Sequence, residues 1–103
     1  MHIVVFHSTK TSDSGELYME WGQKMAGLVK EIPGYVSHHG FFDKATNKGV
    51  TIGYFESEDA IALWRDHPDH VKARDLGREK FYEEFTLEVA KIERSYSWSR
   101  SGS

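Results

Sequence analysis

Pro68 limits how this chain can fold more than any other residue. It sits inside a stretch, residues 57–85, that otherwise reads as helix. Proline has no N–H to donate and disfavours helical geometry at the preceding residue, here His67, so the helix must kink or restart there. Ser57 is a good N-cap, and Glu58 and Asp59 put negative charge at the positive end of the helix dipole. Ile61 and Trp64 follow at helical spacing. Proline is well accepted at a first helical position, so Asp66 or His67 can cap a second segment running over residues 68–84. Val71, Arg74, Arg78, Phe81 and Phe85 then form one rough stripe. The kink gathers a tryptophan and two histidines, His67 and His70, beside a basic and then aromatic helix.

The remaining elements follow from periodicity. Residues 2–8 are β-branched and aromatic and read as a strand, with Ile3, Val5 and His7 on one face and Val4 and Phe6 on the other. Asp13 and Glu16 have the spacing of a capping box, and Leu17, Trp21, Met25, Leu28 and Ile32 recur as the apolar stripe of a helix that Pro33 and Gly34 end. Residues 35–42 and 50–55 read as an antiparallel hairpin around the turn chemistry of Ala45 to Gly49. Residues 86–98 read as the last strand. Leu87 and Val89 share one of its faces, and Ala90, Ile92, Tyr96 and Trp98 continue on the other, a phase change that predicts a bulge or burial on both sides.

The order β-α-β-β-α-β is the split βαβ, ferredoxin-like α+β arrangement with a four-stranded antiparallel sheet. Two helices cover only one face of such a sheet. The other still carries apolar residues, and a second copy of the same sheet is its simplest cover, which predicts a homodimer. One domain is expected over residues 1–98, with residues 99–103 a flexible C-terminal tail. The 39% hydrophobic content, with 14% aromatics, argues for a packed globule. The formal charge of −3 comes without a basic run, which argues against nucleic acid as a partner. Absence of cysteine excludes disulfides and thiolate metal sites. No apolar stretch reaches membrane-spanning length and no signal peptide opens the chain, so a cytoplasmic location is expected.

The run from Trp64 to His70 (WRDHPDH), then GREKFYEEF from Gly77 and VAKIERSYSW from Val89, resembles the antibiotic biosynthesis monooxygenase family. The resemblance is specific over residues 64–98, and the order of elements fits nearly the whole chain. It implies the dimeric α+β barrel. It also implies one of several functions: cofactor-free oxygenation of polycyclic phenols, haem degradation, or an unassigned role. Haem-degrading relatives carry an Asn on the first strand, a Trp on the second helix and a His further along that helix. Here Trp64 matches the Trp, the strand position holds His7, and the helix position falls at Arg74.

A cofactor-free oxygenase needs a base, because deprotonating a phenol raises its electron density until the anion can reduce O₂. His67 and His70, three residues apart, can face one pocket and supply it, and His7 is a third candidate. His67 as a helix cap and His70 as a partly exposed residue are the structural alternatives. Trp64 can stack on a flat aromatic substrate and Trp21 can wall the same cavity, or both can be core anchors. Arg74 and Arg78 can bind an anion or form a solvated face with Asp75 and Glu79. His38 and His39 are adjacent on a strand, so one lines the helix-side pocket and the other the opposite face. No metal motif is visible. The reading is therefore a monooxygenase acting on a small aromatic or polycyclic substrate with no tightly bound cofactor. Haem binding and degradation, or a non-catalytic dimeric ligand-binding module associated with stress, are the alternatives.

Overall fold

The computed structural model describes residues 1–12 and 15–100. Over them the chain runs β1 (His2–Lys10), α1 (Gly15–Val29), β2 (Tyr35–Asp43), β3 (Lys48–Phe55), α2 (Glu58–Arg65), α3 (Pro68–Leu76) and β4 (Tyr82–Lys91). The strands make one antiparallel sheet in the order β2-β3-β1-β4, the expected ferredoxin-like α+β topology with its second helix split in two. Asp13 and residues 101–103 lie outside the described residues, and with them the expected capping box and the end of the tail.

The split falls at Pro68. Ser57 caps α2, its hydroxyl accepting the Ala60 N–H at 3.2 Å. His67 caps α3, its Nδ1 accepting the Asp69 N–H at 3.1 Å, with Pro68 in the first turn. The second segment is shorter than its stripe suggests. After Leu76 it widens into a π turn over Gly77–Phe81, and β4 starts at Tyr82, so Phe85 is a strand residue. Thr11, at the end of β1, decides this stop: its N–H reaches the Phe81 carbonyl at 2.8 Å and its hydroxyl the Lys80 carbonyl at 2.7 Å. Those carbonyls are turned from a continuing helix into the sheet. Gly77 is needed where the turn closes, since a Cβ there would meet the Tyr82 ring at 3.0 Å.

The last strand also differs from expectation: it spans Tyr82–Lys91 instead of residues 86–98. Its neighbour sets the limit. β4 pairs with β1 from Tyr82 opposite Lys10 to Lys91 opposite His2, and a last bond runs from the Ile92 N–H to the Met1 carbonyl. The irregularity sits near Thr9 and Lys10 instead of at Val89 and Ala90.

Residues directly opposite one another share a face of the sheet. Val4 and Phe6 therefore lie with Val89 and Leu87, while Ile3, Val5 and His7 lie with Tyr54, Ile52 and Val50 on the other side. The helices pack on the first face. Val29, Phe55 and Ala60 are its buried centre, with Val4, Tyr35, Ile61 and Trp64 against them. Gly34 makes this approach possible: its φ is +90°, and a Cβ there would stand 2.6 Å from the Ala60 Cβ. At the other end of the same face, Phe6, Tyr18, Phe81, Tyr82 and Phe85 form an aromatic cluster, and burial raises the Tyr82 phenol pKa well above its ordinary value. Among the described residues no helix covers the opposite face, and Phe41 on it is 64% exposed.

Candidate functional site

Trp64, on the last turn of α2, is held by the core beneath it. The turn at Pro68 brings α3 back so that the His70 ring lies flat on the Trp64 indole, 4.2 Å between centroids and 12° between planes. His70 Nδ1 lies 2.9 Å from the Trp64 backbone carbonyl. A carbonyl only accepts, so Nδ1 carries the proton and donates, and in the neutral ring Nε2 is left with a free lone pair. Burial lowers the His70 pKa; the bond to the Trp64 carbonyl opposes this, and the nearby Arg74 and His67 charges add to the lowering. The geometry therefore supplies a neutral imidazole of one tautomer, fixed in orientation, with a basic nitrogen to spare.

Arg74 stands one helical turn beyond His70, on the same side of α3. Its Nε is buried without a hydrogen-bond partner. Asp66, the carboxylate that feels its charge, is already gripped by the Arg65 fork at 2.9 and 3.0 Å. Arg78 differs: it lies 4.0 Å from Asp75 on the solvent side.

The other candidate residues are dispersed. The His67 ring is 5.8 Å from Trp64, but its Nδ1 is occupied in capping α3, and it lines a shallow outer cleft of about 680 Å³ with Ile32, Leu63 and Asp66. His7 projects from the helix-free face of the sheet, 3.3 Å from Glu88, beside a second cleft of about 450 Å³ lined by Lys48 and Glu84. The sheet therefore stands between His7 and the Trp64–His70 pair. Neither cleft includes Trp64 or His70. His38 and His39 do take opposite faces: His38 is opposite Gly53 on the helix side, and His39 touches Tyr54 on the other. Trp21 sits in the seam between α1 and α3, where Lys24 spans 4.8 Å to its ring and 3.7 Å to Asp69.

Two polar residues of the helix side carry no strong signal in sequence. Tyr35 shares a hydrogen bond of 2.6 Å with His38 Nδ1. Residues three apart on a regular strand face opposite ways, and only the irregularity between Tyr35 and Ser37 brings them together. Burial, with the Lys30 and His39 charges, lowers the His38 pKa. His2, opposite Phe55, has a buried Nδ1 without a partner; alternation along β1 would have placed it with Val4 and Phe6. Among the described residues no cluster of three or more potential metal ligands occurs.

The residues do not fit the haem arrangement. The helix position expected to ligate iron is Arg74, whose guanidinium has no lone pair to offer. The strand position is His7, which faces away from the helices.

No family model matches the chain. It is 35% identical over 94 residues to the uncharacterised protein YqjZ of Bacillus subtilis, covering 90% of this chain and 80% of that one. Among solved structures, an antibiotic biosynthesis monooxygenase superposes with a TM-score of 0.79 at 10% identity, covering 91% of this chain and all (100%) of the other. SnoaB, a cofactor-independent oxygenase from Streptomyces nogalater, superposes with a TM-score of 0.76 at 16% identity, covering 91% of this chain and 94% of SnoaB. At such identities the likeness is one of fold.

Proposed function

We propose that this chain, which belongs to the family of Bacillus subtilis YqjZ and has the fold of the antibiotic biosynthesis monooxygenases, is an oxygenase for a small aromatic substrate. One observation carries the reading: His70, stacked on Trp64 and donating from Nδ1, keeps Nε2 free as a base. Trp64 holds the His70 ring in place by stacking on it.

In this reaction Nε2 takes a proton from an activated ring position of the substrate, and the resulting anion gives one electron to O₂. The substrate radical and superoxide combine into a peroxide. Cleavage of its O–O bond leaves a carbonyl on the ring and expels hydroxide, which takes back the proton from His70 as water. One oxygen atom ends in product and one in water, and both hydrogens of that water come from the substrate (two from the oxidised carbon of an anthrone, one from the hydroxyl and one from the ring carbon of a hydroquinone), so no separate reductant is consumed. The lowered pKa of His70 suits this role, since the ring is already neutral at pH 7.

A second copy is the proposed cover for the helix-free face, where Ile3, Val5, Ile52 and the exposed Phe41 make an apolar surface. Oxygen uptake with a panel of anthrones and hydroquinones tests the activity. The wild-type protein should exceed spontaneous oxidation for at least one of them, and His70→Gln should lower kcat by about 10²-fold or more while the protein stays folded. Uptake equal to the spontaneous rate throughout the panel, or full activity in His70→Gln, overturns the proposal.

A further inference from the structure

We infer that the segment after β4, residues 92–100, is a strand given to a second copy of this chain, where it pairs along the outer edge of β2. The inference deepens the proposed dimer and rests on it: two copies exchange identical arms about their two-fold axis.

The segment has the pattern of a strand but no place in one. In IERSYSWSR, Ile92, Arg94, Tyr96, Trp98 and Arg100 alternate with Glu93, Ser95, Ser97 and Ser99. Extended, it puts its large side chains on one face and its serines on the other, as in a strand with one buried side. Yet residues 93–100 join no ladder of their own sheet, and Tyr96 and Trp98 are 87% and 68% exposed. The radius of gyration, 14.8 Å, exceeds the about 13 Å of a compact chain this long, as befits an arm lying off the body.

The two edges of the sheet are not equally open to such a strand. β4 is guarded by Glu83, Glu84, Glu88 and Lys91, charges of the kind that keep foreign strands off an edge. β2 pairs with β3 alone, is regular from Ser37 to Asp43, and carries neither proline nor a formal charge before Asp43. Its Phe41 and Phe42 are exposed. An arm added there with its large face towards the helix-free side sets Tyr96 and Trp98 beside Phe41, where cross-strand aromatic pairs form. Extended, residues 92–100 span about 30 Å, and packed sheets lie about 10 Å apart, so the arm can cross and still have length to pair. The aromatic rings of two arms bury about 500 Å² or more, a large share of the roughly 1,200–2,000 Å² that a stable interface removes from water.

The sequence has no cysteine, which permits a direct test. Phe41→Cys and Tyr96→Cys are prepared as separate proteins, mixed, left to exchange subunits and oxidised. Each chain then holds one thiol, so a disulfide between positions 41 and 96 joins two copies, and peptide mass spectrometry should find it. In sedimentation equilibrium, Tyr96→Ser combined with Trp98→Ser should raise the dimer Kd at least about tenfold. Both side chains are exposed in the single chain, so its fold does not depend on them. If the wild type is dimeric but the mixture gives no such link, or the double variant keeps its Kd, the exchange is overturned and the dimer through the helix-free faces stands. A link formed only within one chain carrying both cysteine substitutions means that the arm folds back on its own sheet. A link found only between two copies of Tyr96→Cys means that the arms pair with each other. Either result overturns the assignment to the second copy's β2. A wild type that is monomeric at all concentrations removes the inference together with the dimer.

Discussion

At the scale of single residues, the hydrogen bonds of two neighbouring histidines separate their roles. His67 uses Nδ1 to accept a backbone N–H and start a helix, whereas His70 uses Nδ1 to donate to a carbonyl and keeps Nε2 free. The buried histidines also tie stability to acidity. His70 and His38 both have pKa values lowered from the ordinary 6.5, chiefly by burial. The unfolded chain therefore binds protons that the folded chain refuses. Stability is complete above pH 6.5 and declines as pH falls from there through the lowered folded values. Thermal melts between pH 7.5 and 5 should show a falling midpoint, and His70→Gln should make that slope shallower. A slope unchanged in His70→Gln would mean that the His70 ring titrates as it does in water.

At the scale of elements, the junctions decide how the helices meet the sheet. Gly34 turns the chain from α1 into β2 at a φ of +90° directly beneath Ala60, and its carbonyl accepts the Glu56 N–H at 2.7 Å. Alanine there would meet both a disfavoured backbone geometry and a methyl group 2.6 Å away. Gly34→Ala should therefore cost about 2 kcal/mol or more, read as a lower urea midpoint. Alanine at Gly27, where a Cβ meets nothing within 4 Å in the helix, should be neutral or slightly stabilising in the same measurement. The π turn after Leu76 is the counterpart at the other end, where Thr11 takes the last carbonyls and redirects the chain into β4.

At the scale of the whole molecule, the two sheet faces are unlike. Among the described residues, three helices hold one face around Phe55 and Val29, and none lies on the other, where Phe41 is 64% exposed. The C-terminal residues beyond β4 are also open, with Tyr96 87% and Trp98 68% exposed. A second copy on the helix-free face would remove Ile52 from water. Ile52→Asp should then shift the protein from dimer to monomer in sedimentation equilibrium, since a buried unpaired carboxylate opposes association. A wild-type protein that sediments as a monomer at all concentrations would refute the proposed dimer.

Local chemistry was enough to read much of this protein from its sequence. Ser57, Pro68 and the alternation in β1 act through their own backbone geometry or nearest neighbours, so the break in the second helix, the four strands and the two faces of β1 were legible without the fold. The stacking of His70 on Trp64 was only half legible: spacing put them near each other, but the carbonyl that sets the tautomer depends on how α3 folds back. Three features belong to tertiary structure alone. The helix stops at Phe81 because Thr11, about seventy positions earlier in the sequence, and not the helix's own stripe, decides where its last carbonyls go. The last strand runs from Tyr82 to Lys91 because those are the residues that pair with β1, from Lys10 back to His2. Tyr35 meets His38, and Arg74 is left without a carboxylate, because an irregular register and the packing of neighbouring elements determine which groups a side chain can reach.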